Sequence, residues 1–516
     1  MPKADIILYN ANILTMDLNY PHASWIAIHS GKVLAISDKE DFSPLKGAFT
    51  EAIDCQGMTI LPGFHDAHCH PAGFAESLVS PDLSSPHIRS ISDIHKIIRE
   101  TAMKTPPGSW IRARGYNEFY LAEKRHPTCR DLDKATSNHP VRLTHRSGHA
   151  HVLNSPGLKL AGISIDTPEP PGSVIERDPE TGEPNGVLYE MGDYLAEVIP
   201  PLTDDEMERG IRLASKKLVA SGITSVQDAS VRNGVQRWQK FQHWKNSGSF
   251  KPRVNMTVGA EALGQFQEQD FSPRTGDNQL GLGAIKIIVH RTTGQLNPSQ
   301  EELNEKVLQI HKLGFQLALH AAEEATVQAA WLALHNALNK IPRVDHRHRI
   351  EHCSVCRPEM ARLLASLGVV IVTQPAFIYY NGERYLNTVP ADLIEHLYPV
   401  ATFIQAGLQV ASGSDCPVVP PNPFSGIYAA VSRTAETGQS IAAEQRINIV
   451  NALHMYTTGP AYSCFEEKVK GSLAPGKLAD LIVLCDNPLA ITVEEMKKLE
   501  VKATMIDGKI LWRKGL

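Results

Sequence analysis

Long apolar runs, a targeting signal and the cysteine pattern of a disulfide framework are all missing from this 516-residue chain. No apolar stretch is long enough to cross a bilayer as a helix. The first residues, MPKADIILYNANILTMD, carry charges within their apolar stretch and lack a small-residue cleavage site, so they predict a strand rather than a signal peptide. The eight cysteines are scattered, which is typical of a reduced cytoplasm and not of a disulfide framework.

An excess of one charge sign is missing too. The 51 Lys and Arg residues face 56 Asp and Glu residues, which gives a formal net charge of −5. No long basic block occurs, so nothing in the charge pattern favours a nucleic-acid or membrane partner. We therefore expect a cytoplasmic protein that acts on a small molecule.

The two ends of the chain read alike. Both contain short alternating apolar runs broken by turn residues, such as Ile506-Asp507-Gly508-Lys509 near the C-terminus. Because chain termini often lie close together, we expect residues 1–63 and 468–516 to build one composite β-sandwich.

Between the ends, eight β-branched or apolar runs alternate with helical patterns, at intervals of roughly 30 residues over much of this region, the length of one βαβ unit. This alternation predicts an α/β fold, a (β/α)8 TIM-like barrel over residues 64–467. The first gap is far longer than the others, which predicts an insertion subdomain at about 72–200. The predicted strands are 59–70, 222–229, 253–260, 284–290, 315–322, 348–353, 369–377 and 408–415.

Residues that can bind a metal fall at the C-terminal ends of five of these runs, where barrel enzymes keep their active sites. In His68-x-His70 both imidazoles face one side, because alternate strand residues do so. Singly, each residue has an ordinary alternative: a hydrogen-bonded core histidine, a helix N-cap for Asp415 or an ion-paired Lys286. Their coincidence favours a metal site, for which zinc is suited. The candidates are His68, His70, Lys286, His320, His352 and Asp415.

These residues resemble those of a known family. PGFHDAHCH is similar to the first-strand signature of the amidohydrolase superfamily, and the order His-x-His, Lys, His, His, Asp matches its binuclear subtype. The resemblance extends nearly from end to end, through ADIILYNANILTMD, SGHAHVLNS, GSVIERDPETGEPNGVLYE, SDCPVVPPNPFSGIYAAVSR and GSLAPGKLADLIVL. The insertion motifs resemble the branch of N-substituted formamide deformylases, of the amidohydrolase family 3 type.

The resemblance implies one or two divalent ions, zinc above others, and a role for each ligand. His68, His70 and Asp415 would hold the more buried ion, and His320 and His352 the second. Lys286 would bridge both ions after carboxylation of its amine; left unmodified, it would instead stand beside a single ion as a charged substrate partner. Asp415 and His352 are the expected catalytic residues, with Asp415 moving a proton from water to the leaving amine.

Substrate contacts are expected from the insertion and from the segment after the seventh strand. For each candidate, ordinary packing is an equally open alternative. The candidates are Arg114, Tyr116, Asn117, His145, His149, His151, Gln374 and, in what we predict to be a loop, Tyr379, Tyr380 and Arg384.

The function that follows is hydrolysis of a C–N bond in an amide, N-substituted formamide or cyclic amide. Three alternatives stay open: a lactone or ester hydrolase, a metal-dependent decarboxylase on the same barrel, and a non-catalytic scaffold. The family resemblance also implies a homodimer. The substrate itself is set by loops that no sequence rule reads.

Overall fold

The computed structural model describes residues 2–38, 41–84 and 86–515. Its largest sheet has eight strands, each paired in parallel with the next along the chain. Most strand residues are buried on both faces, as parallel strands covered by helices must be. The predicted (β/α)8 fold is confirmed. The strands are Phe64–Cys69, Ile223–Asp228, Arg253–Gly259, Leu280–Ile288, Leu317–Ala321, Arg349–His352, Val370–Thr373 and Gln409–Ser412.

Backbone bonds join the first strand to the segment that follows the eighth. The Asp415 N–H donates to the carbonyl oxygen of His68 at 2.7 Å, and the His70 N–H donates to that of Cys416 at 2.8 Å. Gly413 permits this approach, because a Cβ at that position would lie 2.5 Å from the His68 backbone nitrogen. The sheet therefore curves into a nearly closed barrel.

Helices follow the barrel strands, and several short ones fill the later part of the chain. They are Asp204–Ala220, Val235–Asn246, Leu263–Gln267, Gln300–Lys312, Glu324–Lys340, Pro358–Leu367, Ala376–Thr388, Ala391–Ile394, Val400–Gln405, Pro423–Ser432, Ile449–His454 and Thr458–Ser463. Among the described residues, no helix combines the length and the apolar character that a bilayer crossing needs.

The terminal segments form two further sheets. One has the strand order Lys32–Ser37, Trp25–His29, Ile6–Tyr9, Glu51–Asp54; the other has the order Lys509–Arg513, Val501–Ile506, Leu481–Leu484, Thr59–Pro62, Asn12–Leu14, His22–Ala23. A shared apolar core includes Ile26 and Ile28 of the first sheet and Ile60, Val483 and Met505 of the second. The two ends of the chain thus meet in one layered β-structure.

The run 59–70, predicted as one strand, is two strands that belong to different sheets. Thr59–Pro62 pairs with Leu481–Leu484 in the terminal sheet, while Phe64–Cys69 begins the barrel. Gly63 stands between them, and a Cβ there would lie 2.2 Å from the Thr224 side chain. A close approach that only glycine permits separates the two strands.

The chain divides into two compact units: residues 1–70, 215–289 and 300–516, and residues 71–214 with 290–299. The second unit contains the predicted insertion and extends beyond 72–200. Its five-stranded sheet has the order Val174–Arg177, Pro184–Tyr189, Ala150–Leu153, Val141–His145, Ile111–Tyr116. Its helices include Pro71–Val79, Ile91–Ala102, Cys129–Asp133, Ser155–Leu160 and Gly192–Val198. The domain boundaries given above stay a prediction.

A buried ion pair links the third barrel strand to the terminal sheets. Arg253 donates from Nε and Nη2 to the two carboxylate oxygens of Asp480, at 2.6 and 2.9 Å. Both side chains are less than 5% exposed. Asp480 directly precedes the strand Leu481–Leu484, so the pair holds that strand against the barrel.

We expect Asp480→Ala to lower the free energy of unfolding by about 3–5 kcal/mol. It removes both short bonds and leaves the buried Arg253 charge only the half-exposed Asp507 carboxylate, 3.3 Å away. Urea unfolding followed by far-UV circular dichroism measures this change. The matched control is Glu359→Ala, which removes an exposed pair with Arg362 and should change little. Equal effects of the two substitutions would contradict a supporting role for the buried pair.

Candidate metal centre

Three ionisable side chains converge at the carboxyl end of the barrel. They belong to His68 near the end of the first strand, His352 at the end of the sixth and Asp415 after the eighth. One ligand atom from each lies within 4.8 Å of the other two, and all three residues are buried. Two imidazoles and a carboxylate at this spacing could hold a divalent cation.

The Asp415 carboxylate is the point on which the histidines converge. Its Oδ1 lies 2.9 Å from His70 Nε2 and 3.5 Å from His68 Nε2. Burial alone would raise the pKa of Asp415, but the contact with His70 and the nearby His68 and His352 hold that pKa below its usual range. Asp415 also has a left-handed backbone, φ +55, which aspartate adopts more readily than most residues.

The Nδ1 atom of each of three histidines bonds to a side-chain oxygen. His68 Nδ1 bonds to Glu351, and His352 Nδ1 lies 2.8 Å from Gln374 Oε1. His70 Nδ1 lies 3.0 Å from the Ser230 hydroxyl. That hydroxyl donates its own proton to Asp228, so it can accept from His70. Since each Nδ1 proton is thus engaged, Nε2 is the atom left for a metal, the arrangement typical of histidine ligands.

Glu351 was not among the predicted site residues, yet it sets the position of His68. Arg349 donates to its two carboxylate oxygens at 2.7 and 3.0 Å, and both side chains are fully buried. Burial would raise the pKa of Glu351, but Arg349 and His68 hold that pKa well below its usual range. The signal was the Arg-x-Glu spacing of Arg349 and Glu351, which places both on one strand face.

Ideal alternation would put Glu351 and His352 on opposite faces of the sixth strand. His352 instead has a φ of +71 and Cys353 a φ of +47, outside the strand region. The irregular strand end lets neighbouring residues take part in one polar network.

Lys286 and His320 lie close to this group. The Lys286 ammonium nitrogen is buried and has no hydrogen-bond partner among the described residues. Burial lowers the pKa of Lys286 to about 8, against the opposing effects of Glu351 and Asp415. The His320 ring centroid lies 4.4 Å from that of His352. An orphaned buried nitrogen beside converging ligands is what a site built around a further group would show.

Comparison with known proteins agrees with this geometry. A family profile described as "Amidohydrolase family" matches residues 51–512. The chain belongs to the amidohydrolase family. It is similar to an N-substituted formamide deformylase of Arthrobacter pascens, at 27% identity over 99% of this chain and 98% of that protein. Membership makes the chain a hydrolase, as the sequence predicted.

Two solved structures share the fold of this amidohydrolase. An uncharacterized metal-dependent hydrolase from Pyrococcus horikoshii OT3 matches with a TM-score of 0.76 and 24% identity, covering 95% of this chain and 99% of that one. A second, from Pyrococcus furiosus, matches with a TM-score of 0.72 and 24% identity, over 94% and 99% of the two chains.

The candidate substrate contacts of the insertion differ in exposure. Tyr116 is fully buried in the core of its unit, and its hydroxyl bonds to His126 at 2.9 Å. Buried Asn117 caps a short helical turn, and buried His145 lies 2.9 Å from Glu118. These contacts are those of packing residues.

Three candidates of the insertion remain: Arg114, His149 and His151. Arg114 pairs with Glu76 at 2.9 Å, and His149, whose side chain is 47% exposed, pairs with Glu190 at 3.0 Å. His151 is buried in the sheet of the insertion. His149 is thus the most accessible of the histidine candidates.

The candidates after the seventh strand lie on a helix, Ala376–Thr388, and not in the predicted loop. Gln374 directly follows the strand and is fully buried against His352, so it orients that imidazole. Tyr379 stacks edge-on with Tyr380, the ring centroids 5.0 Å apart. Arg384 is partly exposed on the same helix.

A second group of metal-binding residue types, His65, Cys464 and Glu466, lies within the same unit. Two of its members already have other partners. Lys470 pairs with Glu466 at 2.8 Å, and the Gln227 amide nitrogen lies 3.2 Å from His65 Nε2. The Lys470 ammonium already neutralises Glu466 and would repel a second cation at this group.

We expect Glu351→Gln to weaken metal binding by about 10–100-fold, the usual effect of losing a partner of a histidine ligand. The amide is a weaker acceptor for the His68 Nδ1 proton than the carboxylate. Metal retained after dialysis against a graded chelator measures the change.

Because Glu351→Gln also leaves Arg349 without its counter-charge, Gln374→Leu serves as a second variant. It removes the acceptor for His352 and breaks no ion pair. Glu359→Gln, at an exposed position of the helix Pro358–Leu367, is the control. Unchanged metal retention in both site variants would refute the positioning role.

Proposed function

We propose that this amidohydrolase cleaves a C–N bond in a small-molecule amide, N-substituted formamide or cyclic amide. The observation that carries the proposal is the convergence of buried Asp415 with His68, His70 and His352, each histidine held through Nδ1. The similarity to an N-substituted formamide deformylase over nearly the whole chain supports the same class of bond.

The donor set suits zinc above other divalent ions, because it combines imidazole nitrogens with carboxylate oxygen. When bound, such an ion would lower the pKa of water and polarise the substrate carbonyl. A carboxylated Lys286 would add an anionic bridge between two ions and give its orphaned nitrogen a role. The ligands we propose are His68, His70, Lys286, His320, His352 and Asp415.

Asp415 is the residue we assign to proton transfer. Its lowered pKa keeps it ionised at neutral pH, so it can accept a proton from the attacking water. The same carboxyl group can return that proton to the leaving nitrogen, which departs as a neutral amine. His352, whose Nδ1 is held by Gln374, would contribute through its Nε2, by holding the ion that polarises the carbonyl.

Substrate contacts remain part of the proposal. Tyr379 and Arg384 on the helix Ala376–Thr388 and the exposed His149 are the candidates we retain. A cytoplasmic location and a homodimer stay predictions.

The reaction is tested with paired substrates. We expect the zinc-loaded enzyme to hydrolyse members of an N-substituted formamide and cyclic amide panel faster than the matched formate esters and lactones. Chelation should abolish turnover, and added zinc should restore it. Preference for the esters would favour a lactone or ester hydrolase. Release of carbon dioxide without uptake of water would identify a decarboxylase, and full turnover in metal-free protein would exclude the proposed site.

Lys286→Ala tests the bridge. We expect it to lower zinc content and to reduce turnover by at least about 10–100-fold, with partial recovery of both in added formate or acetate. Asp415→Asn is the comparison, because it removes the proton-transfer group and should lose about 10²–10⁴-fold in turnover without recovery in formate. Full zinc content and turnover in Lys286→Ala would contradict the bridge.

A further inference from the structure

A cavity of about 300 Å³ opens within the barrel-containing unit and shares no residue with the metal centre. Its lining comes from the amino ends of barrel strands. Gly283 lies early in the fourth strand, Phe315 and Gln316 directly precede the fifth, and His346 precedes the sixth. The volume suits a small molecule, at the lower end of known ligand pockets. We call it the basal cavity.

Two arginines line the basal cavity, Arg274 and Arg343. Among the residues that the structure describes, neither forms an ion pair with a carboxylate. The Arg274 guanidinium instead lies 5.0 Å from the centroid of the Phe465 ring. The one acidic lining residue, Asp345, is held by Arg347 at 2.7 and 3.2 Å.

Arg343 is short of acceptors as well as of counter-charge. Its Nη2 donates to the Phe315 carbonyl oxygen at 2.8 Å, while its Nε is buried without a partner. His348 Nε2 lies 3.3 Å from the same Nη2. A guanidinium has five N–H donors, so most of this one's capacity is unused unless that imidazole accepts.

The imidazole cannot accept, because a chain of hydrogen bonds fixes its tautomer. The Leu317 N–H donates to His348 Nδ1 at 3.0 Å, which places the His348 proton on Nε2. That proton goes to His311 Nδ1 at 2.9 Å, and His311 Nε2 donates to the Ile341 carbonyl at 2.8 Å. The atom that faces Arg343 Nη2, His348 Nε2, is therefore itself a donor and offers the guanidinium no acceptor.

The lining histidine adds no charge of its own. His346 Nδ1 accepts from the His348 N–H at 2.9 Å, and its Nε2 donates to the Leu367 carbonyl at 2.7 Å. It is a neutral imidazole with both nitrogens used. The excess positive charge of the basal cavity thus rests on the two arginines.

We infer that the basal cavity binds a small anion, a carboxylate or phosphate group held by Arg343 and Arg274. Guanidinium groups bind both kinds of oxyanion through paired N–H donors. The site is separate from the metal centre, since the residues from Phe315 to His320 span on the order of 15 Å of extended chain.

Titration calorimetry of the zinc-loaded enzyme tests this inference, with inorganic phosphate, phenyl phosphate, succinate and benzoate as separate probes. We expect at least one probe to bind, and Arg343→Gln to weaken its binding at least about tenfold. Whether phosphates or carboxylates bind tighter identifies the source of the anion.

Three further variants complete the experiment. Arg274→Gln, which changes an exposed side chain in ring contact only, should also weaken binding and remains informative if Arg343→Gln fails to fold. Arg343→Lys keeps the charge and loses the paired donors, so its affinity for the anion should fall between those of the parent and Arg343→Gln. Arg362→Gln, at an exposed helix position, should bind like the parent.

Two results would overturn the inference. One is the absence of binding by all four probes. The other is equal binding by the parent, Arg343→Gln and Arg274→Gln, which would assign the anion to the metal centre instead. Zinc content, measured in each variant, should not change.

Discussion

The bond from the Asp415 N–H to the His68 carbonyl oxygen joins the end of the first barrel strand to the segment after the last. The candidate metal centre depends on it, because Asp415 and His68 are far apart in the chain and neighbours only in the curved sheet. Gly413 makes the approach possible, since any side chain there would meet the His68 backbone. Barrel closure therefore also assembles the centre, and non-local pairing of this kind slows folding.

Around this closure, one guanidinium and one carboxylate in the barrel interior neutralise each other. Arg349 and Glu351 are both fully buried, and each would be costly alone. Together they hold His68 in one tautomer and leave its Nε2 toward Asp415. The network thereby positions a ligand before any metal arrives, and preorganisation of this kind is what distinguishes a binding site from a cluster of histidines.

At the amino end of the barrel, one guanidinium lacks such a partner within the described part of the chain. The His348–His311 chain satisfies its own nitrogens and turns a donor toward Arg343, so the guanidinium is left with spare donors beside the basal cavity. The contrast with Arg349, which has a carboxylate and a carbonyl within bonding distance, is why we assign a ligand to one arginine and a positioning role to the other.

Periodicity and residue type were enough to predict the eight barrel strands and their order. They also pointed to His68, His352 and Asp415, which the structure brings together, because parallel strands all present their carboxyl ends on one face. They did not separate Thr59–Pro62 from Phe64–Cys69, since both are apolar and only the approach of Thr224 shows why Gly63 divides them. Tyr379 and Arg384 were assigned to a loop although they lie on a helix.

The hydrogen-bond partners of individual side chains could not be predicted from the sequence either. Glu351 and Gln374 set the orientation of two histidines, and Tyr116 lies in a core and not at a surface. In each of these residues the side chain alone is compatible with several roles. Its role depends on which atoms, distant in the chain, come within hydrogen-bond distance when the barrel closes, and that is decided by tertiary structure alone.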